Sequence, residues 1–323
     1  GTMAAIVVEP ISIPTALGDR EILDVGVSKL NLQKIDNPQR SLHACASRYG
    51  SQTIRSIFEK MEQKDMVSKF EELTLADNNI GDDGCEWLLQ GLTAKTTAGK
   101  TVGENLKVLN MPRARFGTPG MKSIGNLIGA SNSLENVIVS SNICDAAGVQ
   151  GEFCAGLTKN KSIKSLCLAA CRLGDAGIAS LAEGPLKSHP KLEHLSVQYN
   201  RLEAAAAKSL AGMLAVNQAL RYLDLSGNSI GAEGALALVD GIKKNKGRLQ
   251  RLSVSQNEIQ TEGVKAFTKL FMSPEGKALI FLDLRHNNLP YKDMVVIRQE
   301  LGKPMEGPEG WMLLFGERQL MMN

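Results

Sequence analysis

The chain has 323 residues, of which 41 are leucine and 31 glycine but only 14 aromatic, and its net charge is +3 from 37 basic and 34 acidic side chains. A hydrophobic content of 43% with 22% charged residues excludes a disordered chain, and the charge balance gives no footprint for nucleic acid or an anionic membrane. A single globular core becomes uncommon beyond roughly 250–300 residues, so the length points to two domains or an extended repeat array.

From the N-terminus, Gly1-Thr2-Met3 reads as a cleavage scar, and the apolar run Ala4–Val8 is too short and lacks the basic flank of a signal peptide. No run approaches the ~20 apolar residues of a membrane span. Six cysteines without a CxxC pair fit reduced, buried thiols, which places the expected location in the cytoplasm, with cytoskeletal association as an extension of it. Residues 1–40, with Pro10 and Pro14, are expected to form an irregular leader. Residues 41–69 are expected to form an N-terminal helical cap, because Thr53–Met61 has helical apolar spacing.

One template then recurs: apolar, two free, apolar, one free, apolar, two free, Asn or Cys, one free, apolar. It starts at Phe70 (FEELTLADNNI), Leu106 (LKVLNMPRARF), Leu134 (LENVIVSSNIC), Ile163 (IKSLCLAACRL), Leu192 (LEHLSVQYNRL), Leu220 (LRYLDLSGNSI), Leu249 (LQRLSVSQNEI) and Leu279 (LIFLDLRHNNL). The spacings are 36, 28, 29, 29, 28, 29 and 30 residues. Within each unit, apolar residues at period two predict a short strand with one buried face, and the second half has the spacing of a helix. Units this short can only stack side by side, which predicts a parallel concave sheet, convex helices and one shared core over residues 70–289. Ala114 stands in the Asn slot of the second unit and Cys171 in that of the fourth, and the first spacing carries the polar insertion Thr93–Thr101, so a loop or distortion is expected there. Residues 290–323 are expected to cap the array, with a helix from Met294 to Leu301 and a tail whose apolar run Trp311–Phe315 either seals the last coil or serves as a binding peptide.

This pattern resembles the leucine-rich repeat, and its long, helix-bearing unit resembles the ribonuclease-inhibitor type. The resemblance implies an α/β solenoid, or horseshoe, with helical caps at both ends. Relatives with this repeat are protein-binding modules, which implies a protein partner and no cofactor.

Motifs for chemistry are weak. Ala94-x4-Gly99-Lys100-Thr101 matches a loose phosphate-binding loop, but a helix precedes it and a strand follows, the reverse of the required order. Asp283 imitates a metal-binding aspartate yet is a free position of the repeat. Cys167-x3-Cys171 lacks further ligands, and no histidine stands in a nucleophile motif, so no catalytic, metal or cofactor residue is assigned. Cys167 is expected on the concave face, open to solvent.

The free strand positions carry the functional reading. The third position runs Glu72, Val108, Asn136, Ser165, His194, Tyr222, Arg251, Phe281; the fifth includes Asp224 and Asp283, and the seventh Gln198 and Arg285. Tyr199 and His286 follow one residue later. Adjacent strands lie ~4.8 Å apart, so Tyr222, Arg251 and Phe281 are expected in a row, with the guanidinium able to stack on either ring. Tyrosine and arginine are enriched at interface hot spots. The predicted protein-binding set is therefore His194, Gln198, Tyr199, Tyr222, Asp224, Arg251, Phe281, Asp283, Arg285 and His286. The expected function is a non-enzymatic scaffold that binds a protein, cytoskeletal or a small GTPase among the candidates, and neither nucleic acid nor membrane. The alternative is a GTPase-activating protein similar to the Ran GTPase activator, against which the absence of a strongly acidic tail counts.

Overall fold

The computed structural model of the chain describes residues 41–43, 49–63, 65, 71–245, 248–302, 312–315 and 318–322; residues 1–40 and Trp311 lie outside the described residues. Strand and helix alternate as the repeat dictates. The first elements are β1 (Ser41–His43), α1 (Ser51–Gln63), β2 (Glu72–Thr74), α2 (Gly81–Thr93), β3 (Val108–Asn110), α3 (Thr118–Ala130) and β4 (Asn136–Ile138). In the third unit the helix is broken into α4 (Asp145–Val149) and α5 (Glu152–Lys159), and after β5 (Ser165–Cys167) the fourth is broken into α6 (Gly174–Glu183) and α7 (Pro185–Ser188). There follow β6 (His194–Ser196), α8 (Ala204–Leu214), β7 (Tyr222–Asp224), α9 (Gly231–Lys244), β8 (Arg251–Ser253), α10 (Gln260–Met272), β9 (Phe281–Asp283) and α11 (Tyr291–Glu300). A strand pair, β10 (Met312–Phe315) and β11 (Arg318–Met321), completes the described chain.

β1 to β9 form one parallel sheet in sequence order; β11 adds to β9 in parallel, and β10 pairs antiparallel outside it. The fourth-position leucines stay in register from strand to strand, as in Leu195↔Leu223↔Leu252↔Leu282. They and the sixth-position residues point toward the helices, where a single apolar core runs from Tyr49 to Met322. Units approach closely where side chains vanish: a β-carbon on Gly156 of α5 would overlap the carbonyl of Gly125 in α3.

Three ladders hold the stack together. At the ninth position, the Asn200 amide donates to the carbonyls of Leu168 and Gln198 (2.8 and 3.0 Å), while its oxygen accepts from the N–H groups of Cys171 and Leu173 (3.0 and 3.2 Å). Asn228 and Asn287 repeat this bridge between successive units. Cys171 keeps half of it, its thiol donating to the carbonyl of Val139 at 3.3 Å. A second ladder, on the turns from helix to strand, was not apparent in the template: Asn160, His189, Asn217 and Asn245 each accept two backbone N–H groups just before the next strand. Along the second position, charges alternate as Glu71, Lys107, Glu135, Lys164, Glu193 and Arg221. The pairs Lys107–Glu71 and Lys164–Glu135 close at 3.0 and 2.9 Å.

The ends depart from expectation, whereas the second unit keeps to it. The sheet begins one strand before the first template match: Leu42 pairs with Leu73, and the N–H of Tyr49 donates to Asn78 as an eleventh-position residue does elsewhere. α1 buries Ile54, Ile57, Phe58 and Met61 against this end. At the other end the closure is by strands as well as by a helix, because Leu320 and Met322 enter the core where another unit's leucines would stand. Of the loop or distortion expected in the second unit, the loop is what forms. β3 keeps the common register with both neighbours, since the inserted residues leave the stack as a small turn bridged between Lys95 and Thr101. That turn, with Thr96 N–H on the Lys100 carbonyl, holds the phosphate-loop look-alike in a hairpin and not at a helix N-terminus.

Candidate protein-binding face

Alternation sends the third, fifth and seventh side chains of each strand to the face opposite the helices. In units five to eight the third positions pair in register as His194↔Tyr222↔Arg251↔Phe281. The His194 ring lies 5.5 Å from the Tyr222 ring, tilted by 47°. Arg251 settles the choice of stacking partner: its guanidinium sits 5.3 Å over the Phe281 ring. The predicted row is present.

Direction and accessibility differ, however. Tyr222, Asp224, Phe281 and Asp283 point to this face but are buried, so they cannot offer the open surface expected of them. Arg251 and His286 are exposed, and His194, Gln198 and Arg285 are half-buried. Cys167 is also buried, with its thiol pushed up by that burial, which corrects the expectation of an accessible sulfur. Below the row lies a closed polar network. Asp224 accepts from Gln198 Nε2, from Ser226 Oγ at 2.6 Å and from the Ser226 N–H at 2.9 Å, and Ser226 Oγ contacts Ser253 Oγ at 2.6 Å. Burial nevertheless pushes the Asp224 carboxyl up, against these hydrogen bonds. Asp283 is held by Arg285 through two bonds of 2.9 and 2.8 Å, so its role is to fix that arginine. Burial lowers the His194 pKa, outweighing the opposing charge of Glu193.

The rim where the strands end is set by backbone geometry. All eight units place the eighth residue in the left-handed region, with φ between 52° and 68°, which turns the chain out of the sheet. In units five to seven these residues are Tyr199, Gly227 and Gln256. The Tyr199 ring lies across Gly227, where a β-carbon would overlap it, and its hydroxyl donates to Gln256 Oε1 at 3.0 Å. The ring is 56% exposed yet fixed at both ends. In units one and two the same rim carries an ion pair, Arg113 to Asp77, with Nη2 to Oδ2 at 2.8 Å.

Cys85, Cys144 and Cys171 are fully buried. A hydrogen bond to Cys171, with burial, holds the Cys144 thiol far above its ordinary value, and burial does the same to Cys85. Among the described residues no group of three or more His, Cys, Asp or Glu side chains converges as metal ligands would. No helix among them is long and apolar enough to cross a membrane.

Comparison with known proteins agrees with this architecture. A family profile described as "Leucine Rich repeat" matches residues 68–88, 216–239 and 249–267. The chain is similar to the ribonuclease inhibitor of Sus scrofa, at 25% identity over 85% of this chain and 65% of that protein. The ribonuclease inhibitor of Mus musculus is 22% identical over 89% of this chain and 67% of its own length. Human NACHT, LRR and PYD domains-containing protein 2 is 33% identical over 50% of this chain and 15% of its own. Among solved structures, a chain from the complex of Rad7 and Elc1 in yeast aligns at 16% identity and a TM-score of 0.44, over 81% of this chain and 65% of that one. The chain is a leucine-rich-repeat protein. Its units, with a helix in each, are of the ribonuclease-inhibitor type. It spans about two thirds of the length of the ribonuclease inhibitors it matches.

Proposed function

We propose that this chain is a non-enzymatic scaffold whose concave face and adjoining rim, in units five to eight, bind a protein partner. The observation that carries this reading is Tyr199: an exposed aromatic ring immobilised by Gly227 and Gln256 loses little freedom on binding, which is what an interface anchor requires. The exposed Arg251, steadied on Phe281, supplies a second anchor on the same units. Two of the relatives are named as inhibitors of ribonuclease, a protein target, and this supports protein binding as the common use of the array. The buried, protonated thiols of Cys85 and Cys144 suit a reducing compartment, which supports a cytoplasmic setting.

Affinity capture with wild type, Tyr199→Ala/Arg251→Ala and, as a control on the helical side, Met272→Ala tests the reading. Truncated hot-spot residues cost about 2 kcal/mol or more each, so the double variant should lose its main partner while the control keeps it. Unchanged capture by the double variant would remove the concave face from consideration. The GTPase-activating alternative is tested separately by single-turnover GTP hydrolysis with small GTPases, where acceleration would overturn the non-enzymatic reading.

A further inference from the structure

We propose that the edge of the array where helices run into strands, across units four to eight, docks on an anionic lipid bilayer. Five turns lead into β5 to β9: residues 156–164, 183–193, 211–221, 241–245 with 248–250, and 269–280. Together they carry eleven lysines and arginines against three glutamates. The turns out of the same strands form the opposite edge, at 170–177, 199–207, 227–234, 256–263 and 286–293. These carry three cations against six carboxylates. The net charge of +3 sums over this segregation and hides it. Helix dipoles account for Lys159, Lys187, Lys243, Lys244 and Lys269, which stand in last helical turns. The other six lie beyond the helix ends, where no dipole calls for them. Among the described residues only Lys164 of the eleven has a carboxylate within 4 Å, Glu135. The remaining cations repel one another along a strip about 20 Å long at the strands, and an anionic surface relieves that repulsion.

Apolar side chains select the bilayer among anionic partners. Val216, Met272 and Ile280 are 49%, 48% and 43% exposed on these same turns. Ile280 occupies the second strand position, which in the seven other units is Glu, Lys, Arg or Gln. Phosphates or carboxylates alone offer such side chains nothing. At a bilayer the cations meet headgroups while the aliphatic groups enter the boundary beneath them. A single-stranded nucleic acid would need rings to stack on, and Phe271, the one Phe, Tyr or Trp of these turns, is fully buried. Protein interfaces gather their apolar residues into a lysine-poor centre. Here Val216 and Ile280 stand two strands apart, with Lys244 and Arg248 on the turn between. The common register of β5 to β9 brings the five turns to one level, which suits a planar surface. An array docked on this edge keeps Tyr199, at the strand ends, on the far side, so the concave-face reading stands or falls separately.

The test is sedimentation of the full chain with vesicles of phosphatidylcholine, alone or with about 30% phosphatidylserine. Binding is expected only to the anionic vesicles and should fall steeply between about 0.1 and 0.5 M salt. Lys191→Gln/Lys244→Gln/Lys277→Gln should weaken it roughly a hundred-fold, about five-fold per lysine. Val216→Ser/Ile280→Ser should weaken it roughly ten-fold at unchanged charge. Arg172→Gln/Arg201→Gln/Lys292→Gln removes the same charge from the opposite edge and should leave it within about two-fold. All these side chains are exposed, so unfolding midpoints close to wild type are expected and separate lost docking from lost folding. Absence of binding to the anionic vesicles, or equal losses in the two triple variants, overturns the proposal. Indifference to Val216→Ser/Ile280→Ser, with equal binding to poly-glutamate, overturns it too and assigns the edge to a soluble acidic polymer.

Discussion

A tyrosine held at φ 52° sits where bulky side chains are uncommon, and the structure compensates locally at Tyr199. Gly227 provides the bed for the ring and Gln256 the acceptor for its hydroxyl. Gly227→Ala therefore tests a residue that makes no polar side-chain contact of its own. At φ 68° the new methyl adds strain, and it displaces the ring. The expected loss is about 1–2 kcal/mol in urea denaturation, with partner binding weakened as far as by Tyr199→Ala. A variant as stable and as active as wild type would mean that the ring needs no fixed seat. The aromatic at 199 was legible from the sequence, since tyrosine is scarce in this chain. Its immobilisation was not, because it depends on three eighth-position residues in separate units. The burial of Tyr222 and Phe281 was also illegible: alternation states which side a residue faces and says nothing of what crowds it there.

At the scale of elements, the strands of the eight units and their shared register followed from period-two leucines, and the helices from period-3.6 spacing. β1 and β11 did not, because their pairing reuses the ladder with little of the template left in their own residues. The turn ladder was hidden for another reason: its members vary in type, with His189 among three asparagines. His189 accepts the N–H groups of Lys191 and Leu192 at 3.4 and 3.0 Å through Nδ1, so its proton resides on Nε2. Burial, helped by the charge of Lys161 and opposed by the Asn160 carbonyl, holds its pKa below the ordinary 6.5. A depressed histidine contributes stability that is fully present above pH 6.5 and is lost as pH falls through the folded value. His189→Asn restores the residue used at 160, 217 and 245, keeps an acceptor in place and removes the titration. Urea midpoints measured above and below pH 6.5 should show a smaller acid loss for this variant than for wild type, with His194 accounting for part of the remainder. Equal losses in both proteins would show that His189 stays neutral or relaxes without cost.

For the whole molecule, stability is a chain of neighbour interactions, so its ends govern its lifetime. The β10–β11 pair occupies the edge of β9, where the N–H of Leu284 donates to the Met321 carbonyl at 2.8 Å, and it fills the last core slots with Leu320 and Met322. Leu320→Asp should cost about 3 kcal/mol or more, the burial of a leucine plus the penalty for a buried charge. Hydrogen exchange should quicken first in β9 and α11, then in β8, and leave β2 to β4 as they were. Uniform acceleration along the array would show instead that all units unfold as one.

The alternating second-position charges have a bearing on how such a chain can lengthen or shorten by recombination. Removing the third unit would set Lys107 beside Lys164, and removing the fourth would set Glu135 beside Glu193. Excising both leaves Lys107 beside Glu193, opposite in sign. Loss or gain of repeats in pairs would thus preserve the alternation across this stretch, while a single step would set like charges side by side, at about 0–1 kcal/mol for such exposed groups.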